Sequence, residues 1–285
     1  VLIRCGGGQM LLWQVIMLGL VQGLTEFLPV SSSGHLVLTQ ALFGVAPGLA
    51  FDVLLHVATL VAVVVAYRNE VLKLIQAAAS LIWPGAWRGS SAERRQALSL
   101  LLALLVGSVP AGLAGILLEE KVAAFFASPR TIGLYLWATA LILLAAELVA
   151  RSRPIDRNLE TPTFGQSLFV GMAQAVALFP GVSRSGITVT AGLLAGLSRE
   201  GAAKFSFLLS IPVIAGAGLL QLPDLVAAAS SESSMLLSYL VGGLVAALSG
   251  YLAIRIFIQL IARARFAAFS LYLLVAGALT LLFLK

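Results

Sequence analysis

Long apolar runs dominate the chain, and the places where they break carry most of its information. Residues 10–27 are apolar and compatible with a helix, but Pro29 and the run Ser31-Ser32-Ser33-Gly34 stop them. A second short segment, 35–45, follows. Each piece is too short to cross a bilayer, which takes about 20 apolar residues. The pattern predicts a helix–break–helix hairpin that enters the membrane and returns. Irregular backbone at that depth is tolerated only where it lines a cavity inside protein. Full spans are predicted at 50–67, 97–118 and 131–150. A basic segment with Arg68, Lys73, Arg88, Arg94 and Arg95 joins the first two. A short turn with Glu119, Glu120, Lys121 and Arg130 joins the next two, and Arg151, Arg153 and Arg157 mark a basic loop after the third.

The plan then repeats. Residues 164–179 and 186–197 predict a second broken pair, followed by spans at 202–221, 235–261 and 267–284. Between the first two of these spans lies a loop with Asp224 and Glu232 but no Lys or Arg, and Arg263 and Arg265 follow the second. Gly19, Gln22, Phe27, Val30, Ser31, Ser33 and Gly34 recur as Gly171, Gln174, Phe179, Val182, Ser183, Ser185 and Gly186. Each pair is 152 positions apart, as 171 − 19 shows. The copies differ at Glu26 against Leu178, Ser32 against Arg184, and His35 against Ile187. The expected fold is an all-α polytopic membrane protein, one domain over 1–285. Its internal repeats cover approximately 10–150 and 162–285, each half a re-entrant pair plus three spans.

Composition agrees with a bilayer as solvent: 60% of residues are hydrophobic and 11% charged. The net charge of +6 reads as basic loops at the cytoplasmic face rather than as a nucleic-acid footprint. Alternating the spans puts Arg68, Lys73, Arg88, Arg94, Arg95, Arg151, Arg153, Arg157, Arg199, Lys204, Arg255, Arg263 and Arg265 inside. Only Arg4, Lys121, Arg130 and Lys285 fall outside. Three spans between the broken pairs make the second enter from the opposite face, an inverted-topology repeat whose breaks meet near the midplane. The single cysteine, Cys5, excludes an internal disulfide framework. The first residues, VLIRCGGGQ, read as a trimmed start rather than a cleaved signal peptide.

The chemistry-bearing residues sit at the breaks. Gln22 and Glu26 are four apart and share a helix face. A carboxylate in a membrane segment is a functional candidate by default, suited to metal ligation or general-base work. Ser31 and Ser33 suit helix capping, as do Ser183 and Ser185. Ser32, opposite Arg184 in the repeat, is the better nucleophile candidate, and His35 one turn past Ser31 completes a base–nucleophile set. Arg184 needs an anionic partner, and its planar fork suits phosphate. Pro180-Gly181 places backbone N–H groups beside it at a helix start. Thr188 could add a hydroxyl donor. Asp52 and His56, four apart in FDVLLH, stand between a supporting role and a helix staple. FDVLLH aligns loosely with FSFLLS at 205–210, offset 154.

QGLTEFLPVSSSGH and PGVSRSGIT closely resemble the two signature segments of the bacterial undecaprenyl-diphosphatase family, also called bacitracin-resistance proteins. The resemblance extends over essentially the whole chain. It maps the first motif onto Gln22, Glu26, Ser32 and His35. The second falls on Pro180, Gly181, Ser183, Arg184, Ser185 and Thr188. Gln22 is the amide variant of a position that also takes Glu, which leaves one carboxylate fewer for metal. The resemblance implies hydrolysis of undecaprenyl diphosphate to the monophosphate in the cytoplasmic (inner) membrane, recycling the carrier for peptidoglycan and conferring bacitracin resistance. It implies a divalent cation, Mg²⁺ or Ca²⁺, with Glu26 as ligand. The catalytic set would be Glu26, Ser32, His35 and Arg184. Gln22, Ser31, Ser33, Gly181, Ser183, Ser185 and Thr188 would bind substrate. Attack by Ser32, by His35 or directly by water stays open. Expected partners are the polyprenyl diphosphate lipid and the bilayer, with no nucleic acid, and a homodimer stays open. The competing reading is a polyprenyl-phosphate flippase or anion transporter using the same phosphate site.

Overall fold

The computed structural model describes residues 2–5, 8–118, 129–152, 160–231, 233–261 and 266–283. Glu119, Glu120, Lys121, Arg153, Arg157, Glu232, Arg263, Arg265 and Lys285 lie outside these residues. A short antiparallel hairpin, β1 (Leu2–Cys5) and β2 (Gly8–Leu11), opens the chain with Leu2 opposite Leu11. The rest of the described architecture is helical.

The first broken pair is α1 (Leu12–Phe27) and α2 (Ser32–Phe43). At 1.5 Å per residue α1 is about 24 Å long, short of the ~30 Å hydrocarbon layer. It stops because Leu28 precedes Pro29 and takes an extended conformation, φ −69° and ψ 144°. α3 (Leu49–Ala66) is the first full-length span. The basic segment after it is itself a helix, α4 (Arg68–Ile82), closed by the 3-10 turn Pro84–Ala86. Its charge had marked it only as a connection; it forms because Leu74, Ala77 and Ser80 bury one narrow face.

α5 (Ser91–Leu117) starts at a capping box in which Ser90 and Glu93 satisfy each other's backbone N–H groups. α6 (Pro129–Ser152) follows. The second broken pair is α7 (Phe164–Val176) and α8 (Arg184–Leu194), entered through a Thr163–Gln166 capping box. Then come α9 (Arg199–Leu220), the short α10 (Leu222–Ser231), α11 (Ser233–Ile261) and α12 (Phe266–Phe283). Among the described residues six helices are long and apolar enough to cross a membrane: α3, α5, α6, α9, α11 and α12. This is a multi-pass, all-α membrane protein.

Two packing relations place the breaks. α1 lies along α11, where a Cβ on Gly23 would collide with the Ser249 hydroxyl. α7 lies along α5, where a Cβ on Gly171 would sit 2.5 Å from the Gly107 carbonyl. Small residues let the backbones approach this closely, the usual glue between helices in lipid. Each broken helix is thus held by a long span from the other half of the chain. Phe27, at the end of α1, is buried edge-on against Phe207 of α9, which meets Phe257 of α11 in the same way. That aromatic stack fixes the residue next to Glu26. Away from it, Leu105, Val109, Leu113 and Ile116 form an exposed stripe on α5, and Leu240, Leu244 and Leu248 another on α11, the surfaces a bilayer would cover.

Candidate active site at the meeting of two helix breaks

The two breaks touch. A Cβ on Gly34 would stand 3.2 Å from the Gly181 Cα, and one on Gly186 would stand 3.4 Å from the Pro29 Cβ. Ser185 Oγ donates across the junction to the Leu28 carbonyl at 3.1 Å. Gly181 has φ +97° and lies against Ile132 and Tyr135, so a side chain there would be both strained and obstructed. The backbone of the second break is satisfied from α6. The Thr139 hydroxyl donates to the Gly181 carbonyl and accepts from the Ser183 N–H, both at 3.1 Å. Ser31 and Ser183 are the N-caps of α2 and α8, accepting from the N–H groups of Gly34 and Gly186.

At the junction Glu26 is the hub. Its Oε1 accepts from Arg184 Nη2 at 2.6 Å. Its Oε2 accepts from Ser32 Oγ at 2.7 Å and from Gln22 Nε2 at 2.8 Å. The carboxylate is 6% exposed, so charge pairing and donated hydrogen bonds must compensate its burial. Removing one partner of such a pair costs about 3–5 kcal/mol, because the other charge is left buried alone. Arg184 spends a second N–H, on Nη1, on the Ser206 carbonyl at 3.1 Å. No other bond from its five-donor fork is made among the described residues, which leaves N–H groups for an anion. Gln22 is fully buried, and its Oε1 has no hydrogen-bond partner among the described residues.

The structure therefore gathers Gln22, Glu26, Ser32 and Arg184. It places His35 elsewhere. The His35 Nδ1–H donates to the Ser31 carbonyl at 2.8 Å, and Nε2 meets the Tyr272 hydroxyl at 2.7 Å. Against Ser32 stands Glu26, not His35. Ser33 lies near Ser31, Oγ to Oγ 3.5 Å. Ser183 and Ser185 bond each other at 3.2 Å. Thr188 Oγ1 donates to the Arg184 carbonyl at 2.7 Å and meets Ser206 Oγ at the same distance. Thr188 and Ser185 thus brace the break and the arginine.

Ser31 is the only non-glycine with positive φ among the described residues, at φ 71° and ψ 95°. A conformation of this kind costs about 1–3 kcal/mol and persists only where the surroundings over-determine it. Its consequence is local: it turns the chain so that Ser32, the next residue, faces back toward the end of α1.

One histidine does approach the carboxylate. His56 Nε2 lies 3.6 Å from Glu26 Oε2, while its Nδ1–H donates to the Asp52 carbonyl at 2.8 Å. Asp52 in turn accepts from Gln40 Nε2 at 2.7 Å, tying α3 to α2. His56 and Ser206 flank the Glu26–Arg184 pair from α3 and α9, in the two segments that align as FDVLLH and FSFLLS. That alignment was the signal for both. Thr139 and Tyr272 had none, because each lies in a long apolar span outside the recurring segments. Among the described residues no three His, Cys, Asp or Glu side chains cluster as a metal site.

In this arrangement the carboxylate can take a proton from the serine hydroxyl, and the arginine beside it can bind an oxyanion. The family described as bacitracin resistance protein BacA matches residues 15–279. An undecaprenyl-diphosphatase of Rubrobacter xylanophilus is 46% identical over 271 residues, 94% of this chain and 96% of that one. One of Moorella thermoacetica is 42% identical over 267 residues, 93% and 95% of the two chains. An undecaprenyl-diphosphatase 2 of Stutzerimonas stutzeri is 43% identical over 277 residues, 94% and 96%. With a match that runs from α1 into α12 and takes in both breaks, this chain belongs to the bacitracin resistance protein family.

Proposed function

We propose that this chain hydrolyses undecaprenyl diphosphate to undecaprenyl phosphate and inorganic phosphate in a bacterial cytoplasmic membrane. That activity recycles the lipid carrier for cell-wall synthesis and removes the diphosphate that bacitracin targets. The observation that carries the reading is the Glu26 carboxylate shared between the Ser32 hydroxyl and the Arg184 guanidinium. The names of the relatives support the substrate.

In this mechanism Arg184 binds the terminal phosphate through the N–H groups not spent on Glu26 and Ser206. Ser32 Oγ attacks the terminal phosphorus, and its proton passes to Glu26 Oε2, 2.7 Å away. The bond from phosphorus to the bridging oxygen breaks, and undecaprenyl phosphate leaves with the proton returned by Glu26. Glu26 then takes a proton from the water that attacks the phosphoserine. That proton restores the Ser32 hydroxyl as inorganic phosphate departs. His56 supports Glu26 from α3. A phosphohistidine on His35, or direct attack by water, is the competing outcome.

The residues fit a hard divalent cation, Mg²⁺ or Ca²⁺. The buried Gln22 Oε1, which has no partner among the described residues, and the Glu26 carboxylate are oxygen donors of the kind such ions take. Those two residues would hold the ion, which when bound would offset negative charge on the phosphate oxygens.

The two halves form an inverted repeat, 10–150 and 162–285, within one membrane domain. The constant 152-residue offset and the reciprocal packing of α1 on α11 and α7 on α5 support this. The connection from α3 into the start of α5, which carries Arg94, and the basic segment with Arg153 face the cytoplasm.

The test is phosphate release by purified protein from a polyprenyl diphosphate, with and without EDTA. Turnover that stops on chelation and returns with Mg²⁺ or Ca²⁺ is expected. Phosphate or lipid moving across liposomes, with no inorganic phosphate released, would replace this reading with a carrier.

A further inference from the structure

His35 is the one ionisable side chain of the first break that does not reach the Glu26 cluster, and its surroundings give it another task. A carbonyl oxygen only accepts, so the 2.8 Å contact to the Ser31 carbonyl puts the proton of the imidazole on Nδ1. Nε2 of the neutral ring is then an acceptor, and the Tyr272 hydroxyl donates to it at 2.7 Å. The two rings also stack, with centroids 5.6 Å apart and planes 15° from parallel. Two independent geometric features thus join α12 to the turn that carries Ser31 and Ser32.

Behind Tyr272, α12 is held against α6. The Trp137 Nε1–H of α6 donates to the Leu274 carbonyl, two residues further along α12, at 3.0 Å. A Cβ on Gly277 would strike the Trp137 indole at 2.6 Å, so the two helices are in close contact there. Tyr272 stands about 9 Å along α12 from its first residue, inside a span, with its ring on the outer surface. A phenol hydroxyl facing hydrocarbon needs a partner, and His35 is that partner. The other end of the chain of bonds is the Ser31 carbonyl, on the residue whose positive φ aims Ser32.

We propose that Tyr272 is a positioning residue of the phosphatase site: through His35 it straps the Ser31–Ser32 turn to α12 and keeps Ser32 aimed at Glu26. The inference rests on the diphosphatase reading above and adds a residue that acts at a distance. Tyr272 itself touches neither the carboxylate nor the arginine in the described contacts.

Tyr272→Phe tests it, because phenylalanine keeps the stack and deletes only the hydroxyl. Losing one neutral hydrogen bond corresponds to about a fivefold to tenfold effect. The expected result is a kcat lowered by that factor, with KM within about twofold of wild type and an unchanged melting temperature. Coupling supplies a readout that a packing role would not give. His35→Asn retains a donor toward Ser31 but has no Nε2, so Tyr272→Phe should change nothing in that background. A second readout is independent of turnover. The chain has only two histidines, so the imidazole nitrogens of ¹⁵N-histidine-labelled protein are readily distinguished. The His35 Nε2 resonance should move downfield toward the unbonded value in Tyr272→Phe, and that of His56 should stay in place. Wild-type kcat in Tyr272→Phe, a Tyr272→Phe effect that persists in His35→Asn, or an unmoved His35 Nε2 resonance would each overturn the strap. Absence of phosphate release from the wild type itself would instead remove the diphosphatase reading.

Discussion

At the scale of single residues, the account rests on one carboxylate with two masters. Glu26 carries Ser32 on one oxygen and Arg184 on the other, so it links the proposed nucleophile to the proposed anion site. Glu26→Ala and Arg184→Ala should each lower kcat for phosphate release by about 100-fold or more, the usual loss for one transition-state contact. Arg184→Lys should rescue little, since a point charge cannot hold Glu26 and a phosphate through one planar fork. His56→Ala should lower kcat about tenfold, the value of one modest polar contact, with His56→Gln closer to wild type. A wild-type rate in His56→Ala would show the 3.6 Å approach to be incidental. Most of this set was legible in the sequence, because Gln22, Glu26, Ser32 and Arg184 lie inside two recurring segments with fixed spacing. What spacing could not give was direction. His35 follows Ser31 by one turn, as a base would, yet its ring faces Tyr272, 237 positions away.

At the scale of elements, the site depends on how closely helices from the two halves approach. Gly23→Leu would drive a side chain into Ser249 and the α11 backbone. We expect it to lower the melting temperature, because overpacking costs about 1–3 kcal/mol or more. Gly112→Leu on α5, where a Cβ meets nothing within 4 Å, should leave it unchanged. Equal melting temperatures for the two would argue against the close α1–α11 contact. The broken pairs were readable from Pro29 with the Ser31-Ser32-Ser33-Gly34 run and from Pro180-Gly181; proline alone would not have shown a break, since Pro110 and Pro212 lie inside α5 and α9. α4 was harder to read. Its Arg68 and Lys73 look like a loop in composition, and only tertiary packing of Leu74, Ala77 and Ser80 shows which face is held.

At the scale of the whole molecule, basic residues concentrate on one set of connections. Cysteines introduced as Gly89→Cys and Ser231→Cys, with Cys5 replaced, should label from opposite sides of intact cells, position 89 from within. Labelling of position 89 from outside would reverse the orientation. The measurement that tests the central claim most directly is inorganic phosphate released from a polyprenyl diphosphate by purified protein in the presence of Mg²⁺ or Ca²⁺, wild type beside Ser32→Ala. The account predicts steady release by the wild type and a loss of about 100-fold or more in Ser32→Ala, with the melting temperature retained. Release by Ser32→Ala at the wild-type rate would contradict it.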